Sequence, residues 1–162
     1  MILNNIIALV FHMLVIVLST VGLAILVALS PYIGGLITSL PIRILIAVFW
    51  ILTYIFLGTR LKISQRAKWD FRSGSLIALI GILLLIYSLI NIGLRMEIPE
   101  DLSYHAIPLN IFLNPIYQIF FMLGISFNQP VRFISCFIPS LLIGIGLRYK
   151  RIKSQGLYQK TT

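Results

Sequence analysis

The feature that most limits the fold of this chain is residues 5–29, NIIALVFHMLVIVLSTVGLAILVAL, a run without Asp, Glu, Lys or Arg. At a rise of ~1.5 Å per residue, about 20 apolar residues cross the hydrocarbon of a bilayer, so this run spans with length to spare. A cleavable signal peptide is the alternative. Because the start, MILNN, carries no basic residue and the apolar run is longer than a signal peptide needs, the sequence favours a retained first helix.

Three further apolar runs, at 42–58, 74–94 and 131–147, have the composition of membrane spans. Hydrophobic residues make up 59% of the 162-residue chain and charged residues only 10%. Soluble domains average about 25% charged residues, so lipid is the solvent that this composition fits. SPYIGG at 30–35 predicts a turn after the first span, and Pro139 predicts a kink in the last one.

Basic residues decide the predicted orientation. Ten of the 13 Lys and Arg lie in two runs, 60–72 and 148–160, which account for most of the formal net charge of +9. Nucleic acid is not the predicted partner, since basic loops beside spans are explained by the positive-inside bias of membrane proteins. We therefore predict a cytoplasmic loop at 59–73, a cytoplasmic tail at 148–162 and both termini in the cytoplasm, in a multi-pass protein of the plasma or inner membrane. Anionic lipid is a predicted partner of the tail.

The segment 95–130 differs from the rest of the chain. It begins with three of the four acids, Glu97, Glu100 and Asp101. The apolar residues that follow carry a polar stripe at a spacing of four, formed by Asn110, Asn114 and Gln118. Such a stripe predicts a helix that lies in the outer interface or dips into the membrane and returns. A fifth span with its stripe turned inward is the alternative, but it would place the basic tail outside.

The two halves of the chain resemble each other. PIR at 41–43 matches PVR at 130–132, and both second helices end in G-x-R-x-K, at 58–62 and 146–150. Chance is the alternative, because apolar runs match easily. The predicted fold class is an all-α integral membrane protein with four transmembrane helices. These form two parallel helical-hairpin repeats, 1–72 and 73–162, and an outer interfacial or re-entrant segment is inserted in the second.

Small residues at regular spacing predict where helices pack in lipid. Three stripes have this spacing: Thr20, Ala24 and Ala28 in the first span, Gly74, Gly81 and Ser88 in the third, and Cys136, Ser140 and Gly144 in the fourth.

Three side chains are candidates for binding a ligand. His12 is the one ionisable residue well inside a span, and hydrogen bonding to a neighbouring helix is the alternative to a role with a ligand. Arg43 and Arg132 begin the second and fourth spans, where a guanidinium and a helix N-terminus suit a phosphate or carboxylate such as a lipid headgroup. Their alternative role is to anchor the helices by reaching the headgroups.

No known catalytic motif is present, and we predict no enzyme activity, metal or cofactor. His105 with its neighbouring acids matches no ligand spacing for a metal, and Cys136, as the single cysteine, has no partner for an intrachain disulfide. The sequence favours a non-enzymatic accessory component that binds another membrane protein, lipid or a second copy of itself. The alternative is a small oligomeric transporter or channel for an anion or amphiphile.

Overall fold

A computed structural model describes residues 2–37, 39–63, 67–93, 100–126 and 128–158. Every regular element in these ranges is helical. The α-helices are α1 (Ile2–Ile37), α2 (Leu40–Arg60), α3 (Ser75–Ile92), α4 (Ile107–Phe112), α5 (Asn114–Met122), α6 (Gln129–Ser135) and α7 (Ile138–Tyr158). Shorter 3-10 turns lie at Ala67–Trp69, Phe71–Gly74 and Glu100–Ala106.

In the part of the chain that the structure describes, four helical stretches are long and apolar enough to cross a membrane: Ile2–Tyr32, Leu40–Arg60, Ala67–Ile92 and Gln129–Gln155. This confirms the prediction of an all-α chain with four such helices, and it indicates a multi-pass membrane protein.

The last stretch is interrupted at Cys136 and Phe137, between α6 and α7. Pro139 follows directly, and its missing N–H leaves the carbonyl of Ser135 without its helical donor. The predicted kink is therefore a short break that ends α6 and begins α7.

The turn predicted at 30–35 is wrong, because α1 continues through Pro31 to Ile37. Proline has no N–H for the carbonyl four residues earlier, here that of Val27. The Ser30 hydroxyl donates a hydrogen bond to that carbonyl at 2.7 Å. The carbonyl of Val27 therefore keeps a donor, and the helix continues past the proline. With 36 residues, α1 is about 54 Å long, more than the ~30 Å of a hydrocarbon layer.

Helices α2 and α7 approach each other closely where two glycines meet. A β-carbon at Gly58 would overlap the backbone carbonyl of Ile143, and one at Gly146 would overlap that of Ile55. Backbones that approach this closely require residues without side chains. The two glycines are those of the G-x-R-x-K motifs, so the matched positions of the two halves contact each other.

The small-residue stripes of the third and fourth spans pack against each other. A β-carbon at Gly81 would lie 3.2 Å from Cβ of Cys136, and one at Gly74 would lie 2.9 Å from Cα of Ser140. Gly144, the third member of the stripe in the fourth span, lies against Phe71 of the 3-10 turn that precedes α3.

The predicted stripe of the first span does not pack within the chain in this way. Ala24 and Ala28 are exposed, and none of residues 21–32 is buried. Thr20, the other residue of this stripe, does contact another element, since its hydroxyl accepts a hydrogen bond from Asn114 of α5 at 3.0 Å. The C-terminal half of α1 is therefore apolar and unpacked on most of its circumference.

A buried ion pair joins the two basic runs. The Arg151 guanidinium donates from Nε to Oδ2 of Asp70 at 2.7 Å and from Nη2 to Oδ1 at 2.6 Å, and the Asp70 side chain has no exposed surface. Near it, Lys150 Nζ donates to the carbonyl of Leu61 at 2.8 Å, and Asn4 Nδ2 donates to that of Lys62 at 2.7 Å. Both basic runs and the start of α1 thus lie at one end of the bundle.

Arg151→Gln is expected to lower the free energy of unfolding by about 3–5 kcal/mol, because it leaves the Asp70 carboxylate buried without a countercharge. The measurement is the loss of helicity during titration of the detergent-solubilised protein with a denaturing detergent. Lys153→Gln is the control, since it removes the same charge from an exposed position of the same helix. Equal midpoints for the two variants would contradict a stabilising role of the pair.

Candidate functional site

His12 is fully buried and links three elements of the bundle. Its Nε2 lies 3.0 Å from the backbone carbonyl of Phe112 at the end of α4, and its Nδ1 lies 2.7 Å from the hydroxyl of Tyr54 on α2. Because a carbonyl only accepts, Nε2 carries the proton and donates to Phe112. Nδ1 then accepts from the Tyr54 hydroxyl, and a neutral ring satisfies both bonds.

Pro115 explains why the Phe112 carbonyl is available to His12. In a continuous helix that carbonyl would accept from the N–H of Ile116. Ile116 instead donates to Leu113, at 2.9 Å, where α4 ends and α5 begins. The helix breaks at this point because Pro115 has no N–H and disfavours helical geometry in the residue before it. The break exposes one carbonyl, and His12 binds it.

The predicted polar stripe faces α1. Asn114 Nδ2 donates to the hydroxyls of Ser19 at 3.2 Å and Thr20 at 3.0 Å, and Gln118 Nε2 donates to the backbone carbonyl of Ser19 at 2.8 Å. Gln118 is buried, and Asn110 is half-buried with an Oδ1 that has no hydrogen-bond partner among the described residues. The stripe therefore faces the bundle and holds α5 against α1.

Arg43 lies at the C-terminal end of α5. Its Nη2 donates to the carbonyl of Phe121 at 3.1 Å, in the last turn of that helix. A cation is stabilised at this end of a helix because the last carbonyls are unpaired and carry partial negative charge. Gly124, which has a positive φ of 74°, ends the turn beside the same guanidinium.

Arg132 lies on α6, and its backbone carbonyl accepts a hydrogen bond from Sγ of Cys136 at 3.4 Å. Its Nη1 is buried and has no hydrogen-bond partner within the described part of the chain. Arg43 thus contacts α5, and no described hydrogen bond joins either arginine to His12. The structure does not bring the three predicted ligand residues into one cluster.

Three residues of these networks were not singled out from the sequence. Tyr54 is the one tyrosine of α2, and a phenolic hydroxyl inside a span could have indicated a hydrogen-bond donor for His12. The Asn114–Pro115 dipeptide is a known helix-breaking signal. Asp70 is the one acid outside 97–101, but its pairing with Arg151 depends on a contact between residues 81 positions apart.

The described residues contain no group of three His, Cys, Asp or Glu that could hold a metal ion. His105 interacts with aromatic neighbours: its Nδ1 lies 3.1 Å from the hydroxyl of Tyr87, and its ring is 4.0 Å from that of Tyr104.

An apolar groove runs between α1 and α2, with a volume of about 570 Å³. We call it the α1–α2 groove. Its lining is almost wholly apolar. It includes Gly22 and Leu26 of α1, Leu45, Ile46 and Trp50 of α2, and Gln118 of α5.

Comparison of this chain with protein-family models, with curated proteins and with solved structures finds no match.

Tyr54→Phe is expected to lower the free energy of unfolding by about 1–3 kcal/mol, because Nδ1 of His12 becomes a buried acceptor without a donor. Reversible unfolding in mixed micelles, followed by far-ultraviolet circular dichroism, measures the change. Tyr149→Phe is the matched control, since it removes the same hydroxyl from an exposed side chain. A loss no larger than that of the control would show that the bond to His12 contributes little.

Proposed function

We propose that this protein is a non-enzymatic component of the plasma or inner membrane that binds a helix of another membrane protein or of a second copy. The observation that carries the proposal is the exposure of the C-terminal half of α1. This half presents small residues at helical spacing, Ala24 and Ala28, and nothing in the described chain packs on them. Helices associate in lipid through such residues because they allow close approach of the backbones.

The interior of the bundle supports the same function class. His12 uses both ring nitrogens on protein groups, and Asn114 and Gln118 donate to α1. An enzyme or a carrier needs polar groups that are free to meet a substrate. Of the three side chains predicted to bind a ligand, His12 is fully occupied by protein groups, whereas Arg43 and Arg132 keep donors that are not bonded to any described residue.

The partner-binding face is tested with a photo-crosslinking residue at Ala28, in cells that express the full chain. We expect an adduct with a protein, because a close helix contact brings the partner within reach of the label. Ile90 of α3 is the control position, since it is 77% exposed and has no small-residue stripe beside it. Ala24→Leu should abolish the adduct and leave unfolding within about 0.5 kcal/mol of the parent, as for an exposed site.

An adduct twice the mass of the chain identifies a second copy, and any other protein adduct identifies a partner. The absence of a protein adduct at Ala28, or equal adducts at Ala28 and Ile90, contradicts the proposal.

For the orientation, we propose four spans with both termini, the loop at 59–73 and the tail in the cytoplasm. The contact between Asp70 and Arg151 supports an even number of crossings between the two basic runs. The exposed basic residues at that end, Arg60, Lys62, Lys68, Arg72 and Lys153, fit the cytoplasmic face.

In this orientation the segment that contains α4 and α5 is re-entrant. Phe112 contacts His12, about 15 Å along α1 from its start, whereas Phe121 contacts Arg43 at the opposite end of the bundle. The two-repeat hypothesis stays a prediction, which the contact between Gly58 and Gly146 supports.

Single cysteines introduced as Ser103→Cys and Gly156→Cys, in a Cys136→Ser background, test the orientation. We expect a membrane-impermeant thiol reagent to label position 103 from outside intact cells and position 156 only after the membrane is opened. Each single-cysteine protein serves as the control for the other. Labelling of both positions from the same side contradicts the four-span arrangement.

A small transporter or channel for an anion is the second candidate. The buried Nη1 of Arg132 is the observation that favours it, because it is a donor without a partner in the described structure. Chloride or phosphate efflux from vesicles that contain the purified protein, lost in Arg132→Gln, would put this candidate ahead of the first.

A further inference from the structure

We propose that the α1–α2 groove together with Arg43 forms a binding site for one anionic phospholipid, with an acyl chain in the groove and the headgroup phosphate at the guanidinium. This site is separate from the partner-binding face. Ala24 is two residues from both Gly22 and Leu26 of the groove, so it points to the opposite side of α1. The inference therefore does not depend on the proposed function.

The groove fits a chain of methylene groups. Its volume of about 570 Å³ is lined by aliphatic and aromatic side chains. Gly22 widens it, since the nearest side-chain atom to a β-carbon built there is in the Trp50 ring, 3.8 Å away. A polar ligand would lose its hydrogen bonds to water in such a groove, whereas an acyl chain loses none.

Arg43 supplies a charge next to the groove. On α2 it lies one helical turn before Ile46, which lines the groove. On α5 its guanidinium binds the carbonyl of Phe121, one turn beyond Gln118, which also lines the groove. Both helices thus place the guanidinium one turn away from a residue of the lining.

The guanidinium can hold a phosphate in this position. It is half-buried, and of its five N–H donors one is bonded to the carbonyl of Phe121. No described carboxylate forms an ion pair with it. A guanidinium fixed by one bond can present its remaining donors to phosphate oxygens, and its planar fork suits that geometry. The combination of a cation and an apolar groove selects a lipid that is both anionic and acylated.

Trp50 lines the groove and reports directly on what fills it. In a Trp69→Phe background it is the single tryptophan, since the chain has two. The full chain is placed in vesicles of zwitterionic phosphatidylcholine that contain a fixed fraction of brominated-chain lipid, either phosphatidylglycerol or phosphatidylcholine. Bromine quenches tryptophan at short range, so quenching of Trp50 measures occupancy of the groove.

We expect the brominated anionic lipid to compete for the groove roughly three- to fivefold better than the brominated zwitterionic lipid, as one basic residue near a phosphate provides. Arg43→Gln should bring this ratio to about one. Arg132→Gln is the matched control and should leave the ratio unchanged, because that arginine lies on α6 away from the groove. Gly22→Leu should reduce quenching by both lipids, because its side chain fills the groove.

Free inorganic phosphate, added as a competitor, should not change the quenching if the acyl chain is required. Equal quenching by the two brominated lipids in the parent protein would overturn the proposal, as would an unchanged ratio in Arg43→Gln. Quenching by neither lipid, or quenching that falls as the protein-to-lipid ratio rises, would mean that protein covers the groove, and would also overturn it.

Discussion

The bonds of His12 are the interaction on which the arrangement of this bundle depends. A polar group inside an apolar bundle must find its partner within the protein, because lipid offers none. His12 on α1 meets this requirement by binding Tyr54 on α2 and the carbonyl of Phe112 on α4, so one ring fixes three elements relative to each other. The break at Pro115 belongs to the same arrangement, since it creates the acceptor that the ring needs.

Close backbone packing provides the second constraint. Apolar side chains gain little by leaving lipid for a protein interior, so helices in a membrane must gain contact through shape. Gly58 against Gly146 allows that approach for α2 with α7, and Gly81 against Cys136 allows it for α3 with the break between α6 and α7. The C-terminal half of α1 has small residues, Ala24 and Ala28, on which no described residue packs. The other helices are also exposed on one side, but their small residues pack against a neighbouring helix. Exposed small residues at helical spacing are therefore what distinguishes α1.

The sequence predicts most of the helices and few of their contacts. Hydropathy finds the four long helices because each span must be apolar over its whole length, which is a local property. The turn predicted from Pro31 is absent, because the hydroxyl of the neighbouring Ser30 bonds to the carbonyl that the proline leaves without a donor. The periodicity of Asn114 and Gln118 correctly shows that they share a face, but whether that face turns to α1 or to headgroups is decided by tertiary contacts. The pairing of Asp70 with Arg151 lies wholly beyond local patterns.

The same limit applies to the predicted pair of arginines. Equivalent positions in two similar halves suggest equivalent roles. The structure differs because α5 has no counterpart in the first half, and Arg43 bonds to its C-terminal end. Arg43 binds the end of α5 and stands beside the α1–α2 groove, whereas Arg132 lies on α6 and has a buried donor, Nη1. A segment present in only one half thus gives two matched arginines different surroundings. The charge that sequence symmetry would assign to one shared anion site is divided between the C-terminal end of α5 and α6. Any ligand chemistry of this protein is therefore expected to differ between its two halves, even if the halves share an origin.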